Sequence, residues 1–321
     1  MKKLIRAVGT LLASAVIVGS PAFAQEQYPV DTATIIVPYA AGGAADLVGR
    51  IVADELSKRF TANFIVENVG GGGGTIGAER AARAAPDGAT LVLAGNAIIT
   101  MSPHLSDIGF DPLKDLVAIA NVSEAPRMLA ATKAMPEISD FESFVAYAKE
   151  HPGELNYGSV GVGSTGHLAI ADLLRSAGIE ANHIAYSGAT EVVQAVLSGD
   201  IHFMLEASTI AQVRQGTMTP LAFPGTDRMA EFPDIPTLAE LGHPTVRGVG
   251  RQMIMAPAGT PPEILLSIEN ALLEASKDPE LNDKFLRIDI TPKFMSADET
   301  NTSLQQEYDH YDTLLSDMGL K

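Results

Sequence analysis

Short apolar runs and longer amphipathic stretches alternate along the chain from about residue 30 onwards. The short runs are rich in β-branched residues and predict strands at residues 34–37, 63–68, 90–94, 128–132, 155–158 and 253–256. In the longer stretches apolar residues recur three or four positions apart, which predicts helices at residues 46–60, 75–85, 141–150, 165–177, 261–276 and 297–318. Further units of this alternation follow at residues 183–186, 191–197, 201–206 and 221–224.

This order of strands and helices is typical of an α/β fold built on mainly parallel sheets. In the helix at 46–60, the spacing of Leu47, Ile51, Leu56 and Phe60 predicts one buried stripe. The pattern restarts near residue 128, so we expect two lobes, residues 26–124 with 250–321 and residues 125–249. The chain would then cross twice between the lobes, which suits hinge closure around a ligand.

Three glycine-rich or small-residue turns connect a predicted strand to a predicted helix. They read PYAAGGAAD at residues 38–46, GGGGGTIG at 70–77 and YGSVGVGSTGHL at 157–168. The first amides of a helix have no partner inside it and the helix dipole is positive there, so each turn can hold an anion without a cationic side chain. Glycine also lets a ligand approach the main chain closely. The alternative interpretation is that these turns only connect a strand to a helix.

Two polar side chains in these turns have two possible roles each. His167 lies in the first turn of its helix and either contacts a ligand or caps the helix. Asp46 either interacts with the amides at its own helix start and pairs with Arg50 four residues on, or directs its carboxylate at a ligand or ordered water. We expect a mixed role for Asp46, mostly positioning.

Motifs of cofactor binding and catalysis are incomplete in this chain. Residues 72–77 and 161–166 match the G-x-G-x-x-G dinucleotide fingerprint, but neither is followed by the ribose-binding acid about 20 residues on. Residues 161–166 also lack the G-x-S-x-G spacing of a serine hydrolase. No His-Glu-x-x-His or EF-hand pattern occurs, and the seven histidines are scattered. The sequence therefore predicts binding without catalysis, cofactor or metal. An exported hydrolase acting on a small carboxylate or ester is the alternative.

The amino-acid composition excludes several kinds of functional site and binding partner. The 321 residues are 46% hydrophobic and 19% charged, which indicates a globular protein with room for two domains. Cysteine is absent, which excludes disulfides, thiolate metal sites and a cysteine nucleophile. The formal net charge is −17, with 22 basic and 39 acidic side chains, and this argues against a nucleic-acid partner because phosphate binding needs clustered Lys and Arg.

The first 24 residues have the pattern of a cleavable export signal. Lys2, Lys3 and Arg6 precede the apolar run at 7–19, and the AFA sequence at 22–24 is a small-x-small cleavage site. Gln25 stands where a lipid-anchored receptor has a cysteine. No later apolar run approaches the ~20 residues needed to span a bilayer. We therefore expect a periplasmic protein without a lipid anchor, and a monomer.

Several longer segments, which together span nearly the whole chain after the export signal, form a recognisable pattern. They are IIVPYAAGGAADLVGRIVADEL, VENVGGGGGTIGAERAARAAPDGATLVL, FDPLKDLVAIANV, NYGSVGVGSTGHLAIADLL, AYSGATEVVQAVLSGDIHFML, IPTLAELG and APAGTPPEI. In this order they resemble the extracytoplasmic receptors of the tripartite tricarboxylate transporter family, the Bug-type solute-binding proteins. The resemblance implies an α/β, two-lobed periplasmic binding protein-like (type II-like) fold with a ligand cleft between the lobes. It also implies a small organic carboxylate as ligand, which is delivered to the permease subunits of a secondary transporter.

The resemblance also implies which residues contact the carboxylate, largely through main-chain amides and ordered water. Carried over by position, they are Tyr39, Ala41, Gly43, Ala45, Asp46, Asn96, Ser159, Gly161, Gly163, Ser164, Thr165, His167, Tyr186 and Glu206. The chain departs from the family pattern at three places. Ser187 replaces a common Lys, Gly250-Arg251-Gln252 replaces a common Trp-x-Gly, and Glu206 replaces a common Asp. These departures alter the wall of the implied cleft, so no particular carboxylate can be taken from a relative.

Overall fold

The computed structural model describes residues 25–186, 188–225 and 227–321, so the predicted export signal and Ser187 lie outside the described residues. The strands are β1 (Thr32–Val37), β2 (Asn63–Asn68), β3 (Thr90–Gly95), β4 (Leu116–Ala125), β5 (Met128–Thr132), β6 (Asn156–Ser159), β7 (Asn182–Ala185), β8 (Phe203–Glu206), β9 (Met218–Ala222), β10 (Gly250–Pro257) and β11 (Thr291–Met295). The helices are α1 (Ala44–Arg59), α2 (Thr75–Ala82), α3 (Asn96–Thr100), α4 (Ser102–Leu105), α5 (Phe141–Glu150), α6 (Thr165–Ala177), α7 (Ala189–Ser198), α8 (Ser208–Arg214), α9 (Pro262–Ala275), α10 (Pro279–Leu286) and α11 (Ala297–Asp317).

Two separate sheets organise these elements. One sheet has six strands in the order β11-β4-β10-β3-β1-β2, and the other has five in the order β7-β6-β8-β5-β9. We call the parts of the chain built on these sheets the first lobe and the second lobe. The chain passes from β4 to β5 and returns before β10, so two crossing segments join the lobes. The exact lobe boundaries at residues 124/125 and 249/250 stay a prediction.

The prediction of mainly parallel sheets is wrong, because both sheets are mixed. Strand β1 is parallel to β2 and β3, but β10 is antiparallel to β3 and β4, and β11 is antiparallel to β4. In the second sheet β6 is parallel to β7 and β8, whereas β5 is antiparallel to β8 and β9. The physical reason is the double crossing. Strand β10 starts beside Gly95, where β3 ends, and β5 starts beside Glu206, where β8 ends.

The same register places the glycine-rich turns near the crossing segments. The turns follow the carboxyl ends of β1, β2 and β6, and β3 and β8 also end at these edges of their sheets. In open α/β sheets, ligands bind outside the carboxyl ends of the parallel strands. The fold therefore directs all three turns towards the region between the lobes.

Helix α1 packs closely on the first sheet, but not with the predicted stripe. Leu56 and Phe60 are buried as expected, whereas Leu47 is 38% exposed. The buried stripe contains the small residues Ala45, Gly49 and Ala53 together with Val48, Val52 and Leu56. A Cβ on Gly49 would lie 2.6 Å from the Val37 side chain, so small residues set a short distance between α1 and β1. Leu47 faces outward because small residues, not the largest apolar ones, make this contact.

Helix α11 connects the two lobes. Its first half packs in the first lobe, where Leu304 joins a cluster of residues from that lobe. Its second half packs against α6 of the second lobe through the cluster Met101, Leu168, Tyr311, Leu314 and Leu315. The His310 ring lies 2.8 Å from the Asp172 carboxylate, and Arg175 donates to Asp317 over 2.9 Å. Helix α11 therefore joins the two lobes in addition to the crossing segments.

Candidate ligand-binding cleft

The first turn leads into α1 without a side-chain cap. Gly43 is the N-cap residue, and its backbone is extended with a ψ of 169°. Among the described residues, no hydrogen bond is donated by the first amides of the helix, at Ala44, Ala45 and Asp46. Ala41 and Gly43 are exposed, so ligand can reach this part of the turn. The helix start therefore has donors available for an anion.

The buried Asp46 side chain hydrogen-bonds to this turn and to neighbouring residues. Its carboxylate accepts hydrogen bonds from the Gly42 amide at 2.8 Å, from Arg50 Nε at 3.0 Å and from Asn68 Nδ2 at 3.0 Å. Burial on its own would raise the pKa of Asp46, but the hydrogen bonds from Arg50, Gly42 and Asn68 hold it below the ordinary value. Both carboxylate oxygens are engaged, so the side chain positions the turn.

The second turn packs directly against the first. A Cβ on Gly77 would lie 2.6 Å from the Val69 carbonyl oxygen and 2.9 Å from Pro38 Cα, and one on Gly74 would lie 3.3 Å from the Tyr39 ring. The Asn68 amide also donates to the Tyr39 carbonyl over 3.1 Å. Tyr39 is half-buried in this contact. At Gly74 and Gly77 the glycine run therefore lets two turns pack together, which is the structural role that the sequence left open.

The third turn is an internally bonded loop that ends at α6. Ser159 ends β6, and its hydroxyl oxygen accepts the Gly161 amide at 3.2 Å. Ser164 is the N-cap of α6 and accepts the His167 amide at 3.4 Å. His167 Nδ1 accepts the Gly163 amide at 3.0 Å. Within the described chain, the Thr165 and Gly166 amides donate to no protein acceptor, so these two donors remain for a ligand.

Two stacked histidines support this turn. The rings of His167 and His183 lie 4.0 Å apart at an angle of 22°, and Tyr157 stacks on His183 at 4.9 Å. Burial, and then the neighbouring His183 ring, lowers the pKa of His167 to about 4. His167 is therefore neutral at pH 7. Because its Nδ1 accepts a hydrogen bond, its proton is on Nε2.

Glu206 forms a buried ion pair at the carboxyl end of β8. Its Oε2 accepts a hydrogen bond from Arg127 at 2.5 Å, and its Oε1 is buried without a hydrogen-bond partner. A Cβ on Gly166 would lie 2.6 Å from that Oε1. Burial raises the pKa of Glu206, and Arg127 only partly offsets this. The carboxyl group therefore lies beside the free amides of α6 with one oxygen unused.

Asn96 connects the first lobe to the returning segment. Its Oδ1 accepts the Arg251 amide at 3.0 Å, and its Nδ2 donates to Glu307 over 2.7 Å. The Arg251 guanidinium in turn donates to both Glu307 and Ser303 of α11. Both polar atoms of the Asn96 side chain therefore bond to the returning crossing segment or to α11. Sequence reasoning missed this cluster, because Glu307 lies in a helix without any motif.

The predicted residues form two groups, one on each lobe. The first-lobe group contains Tyr39, Ala41, Gly43, Ala45 and Asp46, and Asn96 lies at the hinge side of it. The second-lobe group contains Ser159, Gly161, Gly163, Ser164, Thr165 and His167, with Glu206 beside α6. Tyr186 belongs to the second group, because its amide donates to the Ser159 carbonyl over 2.9 Å. Over the described residues, no hydrogen bond joins the two groups.

Leu105 approaches the second-lobe turn from the first lobe. A Cβ on Gly163 would lie 2.6 Å from Leu105 Cδ1. Sequence reasoning did not name Leu105, which lies in a four-residue helix without a recognisable signal. It did name Gly163 as a ligand contact, and glycine there would let a ligand approach the main chain closely. In this structure the space is filled by a leucine of the opposite lobe.

The fold and these turns define a two-lobed binding protein of the periplasmic type. A family model described as the tripartite tricarboxylate transporter family receptor matches residues 48–320. The chain therefore belongs to the tripartite tricarboxylate transporter receptor family, a family of solute-binding proteins. Within the described ranges, no helix is both long and apolar enough to cross a membrane.

Individual relatives agree with this assignment. The chain is 35% identical over 283 residues to a UPF0065 protein in the gbd 5′ region of Cupriavidus necator, covering 87% of this chain and 85% of the relative. A solved TctC solute-binding protein from Polaromonas has a TM-score of 0.82 and 27% identity, covering 90% of this chain and 99% of that one.

Two further solved structures contain ligands. R. palustris Rpa4515 with adipate has a TM-score of 0.72 and 26% identity, covering 91% of this chain and 98% of that one. MatC from Rhodopseudomonas palustris with bound malate has a TM-score of 0.68 and 26% identity, covering 90% and 100%.

Proposed function

We propose that this protein is a periplasmic receptor that captures a small organic carboxylate between its lobes and delivers it to the permease of a tripartite tricarboxylate transporter. One observation carries the proposal. The first amides of α1 and α6 lie on opposite lobes at the ends of glycine-rich turns and have no protein acceptor among the described residues. Two helix starts of this kind can hold an anion through preorganised N–H groups.

The chemistry of the turns favours a carboxylate. Neither turn contains Lys or Arg, and His167 is neutral, so recognition comes from amides. The adipate and malate in the two ligand-containing relatives support the same ligand class. The fourteen residues predicted from the sequence form the proposed cleft, with Asp46, Asn96 and Ser159 acting mainly by positioning. Glu206, which stands where relatives commonly have Asp, contributes to the ligand specificity of this cleft.

The remaining proposals concern the location and state of the protein. The leader at residues 1–24 supports export to the periplasm, and Gln25 after it supports a chain without a lipid anchor. The permease subunits are the proposed protein partners. We further propose that the receptor works as a monomer, because one chain supplies both walls of the cleft.

A second candidate function, hydrolysis, has one observation in its favour. The Ser159 hydroxyl lies 2.7 Å from His183 Nε2, which is the distance of a serine–histidine pair. Ser159 is completely buried, however, and its hydroxyl also bonds the Gly161 main chain. A nucleophile must reach its substrate, so this pair supports a structural role. We propose that the receptor binds its ligand without changing it.

Proline scanning at the helix starts tests the proposed cleft. Thr165 and Ala44 are the first helical residues, and each follows a residue with extended backbone. Proline fits this position but removes the amide donor. We expect Thr165→Pro and Ala44→Pro each to weaken adipate or malate binding at least tenfold in isothermal titration, with little change in melting temperature.

Thr165→Ala and Ala44→Ser are the matched controls, because both keep the amide. They should bind close to the unchanged protein. In a thermal-shift panel of small carboxylates, a true ligand at a hundredfold excess over Kd should add about 2.7 kcal/mol of stability. The proposal fails if no carboxylate stabilises the protein, if both proline variants bind normally, or if mass spectrometry recovers a chemically changed ligand.

A further inference from the structure

A cavity of about 870 Å³ lies beside the crossing segments, between the two lobes. The first lobe lines it with residues between 286 and 307, and the second lobe with residues between 207 and 249. The crossing segments add Glu124 and Arg127 on one side and Arg251 on the other. None of its described lining residues belongs to the glycine-rich turns. Its volume lies in the range of about 300–1,000 Å³ that is usual for small-molecule sites.

Much of the cavity wall is apolar. Side chains from both lobes contribute to it, namely Ile210, Phe223, Met229, Val246 and Ile290. Ile210, Phe223 and Met229 belong to one hydrophobic cluster of the second lobe, and Ile290 belongs to the core of the first. A ligand with an apolar body would therefore find a preformed surface on either side.

Most cationic side chains that line the cavity are already neutralised. The ion pairs are Arg214 with Glu231, Arg228 with Glu240, Arg251 with Glu307, and Lys293 with Asp227. The last of these pairs joins β11 of the first lobe to the second lobe over 2.9 Å. Charges in such pairs have little capacity left for a ligand.

Arg247 differs from these cationic side chains because it forms no ion pair with a described residue. It is half-buried in the segment that returns to the first lobe, and within the described chain its guanidinium makes no hydrogen bond or ion pair. Arg127 also lines the cavity, but one of its nitrogens pairs with Glu206 and its Nε is buried out of a ligand's reach. Arg247 is therefore the cationic side chain that remains for a ligand.

We propose that this cavity is a second ligand site, separate from the cleft at the glycine-rich turns, for an amphipathic organic monocarboxylate. The carboxylate pairs with Arg247, and the apolar body lies along the wall formed by Ile210, Phe223 and Ile290. One unpaired arginine matches one negative charge, so the site suits a monocarboxylate with an aliphatic or aromatic body. A planar guanidinium is well suited to a carboxylate, which it can bind through two parallel hydrogen bonds.

Glu124 is the acidic group that most needs to be considered in this site. It lines the cavity close to Lys293, Arg251 and Asp227. Burial raises its pKa, and the positive charges of Lys293 and Arg251 oppose this rise. The acids of the four ion pairs are neutralised by their partners, and Asp289 lies on the first-lobe wall. Among the described residues, no carboxylate forms an ion pair with Arg247.

Octanoate is a suitable probe, with octylammonium as the oppositely charged control of the same length. We expect saturable octanoate binding in isothermal titration of the full-length mature protein. Arg247→Gln should weaken it about tenfold, and Ala211→Trp, which fills the cavity from α8, should nearly abolish it. Arg80→Gln is the matched control, because Arg80 is an exposed arginine of α2 outside the cavity and should leave binding unchanged.

Adipate and malate binding in the same variants separates the two sites. Arg247→Gln should leave the carboxylate affinity of the turn cleft unchanged, and Thr165→Pro should leave octanoate affinity unchanged. The proposal is wrong if octanoate does not bind, if octylammonium binds equally well, or if Arg247→Gln binds octanoate as the unchanged protein does. If Ala211→Trp does not fold, Arg247→Gln alone decides. Loss of octanoate binding in Thr165→Pro would place the probe in the turn cleft and also overturn the second site.

Discussion

Gly163 lies where a main-chain turn, a histidine and the opposite lobe meet. Its φ is +78°, its amide donates to His167 Nδ1, and Leu105 of the first lobe fills the space beside its Cα. The sequence could predict that a glycine-rich turn begins α6 and that His167 belongs to it. It could not predict which amides stay free, because that depends on a histidine tautomer and on a contact with a residue 58 positions away. The free donors are those of Thr165 and Gly166.

Substitution of Gly163 should therefore act through two separable terms. In Gly163→Ala, the positive φ costs about 1–2 kcal/mol of unfolding free energy, and the contact with Leu105 adds to this. Leu105→Ala in the same chain should regain only the part of the unfolding free energy that was lost through the contact with Leu105. We expect a coupling of about 0.5–1 kcal/mol in a double-mutant cycle measured by urea unfolding. Strict additivity would show that the two side chains do not meet.

Ser164 has a structural and a ligand-binding role that can be separated. Ser164→Ala removes the acceptor for the His167 amide, so we expect a loss of about 1 kcal/mol in unfolding free energy. The hydroxyl is also a proposed ligand donor, so affinity should fall about tenfold, or 1.4 kcal/mol. Ser164→Thr keeps the hydroxyl and should restore much of both. If Ser164→Ala binds the carboxylate normally, the hydroxyl does not contact the ligand.

The stacked histidines predict a dependence of stability on pH. An unfolded histidine has a pKa near 6.5, whereas the pKa of His167 in the fold is about 4. Between these values the unfolded state binds a proton that the folded state does not. The contribution is complete above pH 6.5, and it is lost as the pH falls towards 4, by up to about 3 kcal/mol. Burial also lowers the pKa of His183, which acts in the same direction.

Urea unfolding at pH 7, 6 and 5 measures this effect. His167→Gln should have a shallower decrease in unfolding free energy than the unchanged protein over this range. His151→Gln is the control, at a histidine whose side chain is 41% exposed, and should keep the original slope. An identical slope in His167→Gln would mean that His167 does not carry the proton linkage.

Among the helices and strands, those with a clear period or cap were predicted best. The sequence-based bounds of α5, α6, β2 and β5 agree with the structure. Helix α5 has an Asp140 capping box and α6 has Ser164 before it and Gly178 after it, so the start of both helices and the end of α6 carry a local signal. Local chemistry alone defines such elements.

Three of the missed elements, α3, α4 and β11, lack such local signals. Helices α3 and α4 are only five and four residues long, which is too short to show a helical period. Strand β11 contains Pro292 and is entirely half-buried at the edge of its sheet, so it shows neither an apolar run nor a clear alternation. These elements are ordered by packing against distant parts of the chain. This is also why Leu105 and the hinge cluster around Glu307 were not visible in the sequence.

Helix α11 allows stability and lobe geometry to be tested separately. Leu314→Ala and Leu304→Ala each remove a buried leucine from this helix, so each should cost about 2–5 kcal/mol in unfolding free energy. Leu314 packs against Leu168 of the second lobe, whereas Leu304 packs only within the first. Small-angle scattering without ligand should therefore show wider lobes for Leu314→Ala alone. Equal scattering profiles would assign lobe geometry to the crossing segments only.

At the level of the whole molecule, an acidic protein has to bind an anion. The net charge of −17 creates a field that opposes an approaching carboxylate. In the proposed cleft, partial positive charges at two helix starts attract the carboxylate and offset this repulsion, because they act within a few ångströms of the ligand. The proposed second ligand site, in the cavity beside the crossing segments, uses an arginine instead. The two proposed sites therefore overcome the same repulsion differently, one with main-chain amides and the other with an arginine side chain.

This difference predicts how each affinity responds to salt. At 0.1 M ionic strength charges are screened over about 10 Å, so added salt removes the long-range repulsion but hardly affects amides in contact with an enclosed ligand. We expect the affinity for adipate or malate to change by less than about threefold between roughly 20 and 200 mM salt. Titrations at several salt concentrations measure this. The affinity for octanoate should fall further, because Arg247 is only half-buried and its attraction is screened. A steep loss of adipate or malate affinity with salt would instead require a basic side chain in the turn cleft, and recognition by amides alone would then be wrong.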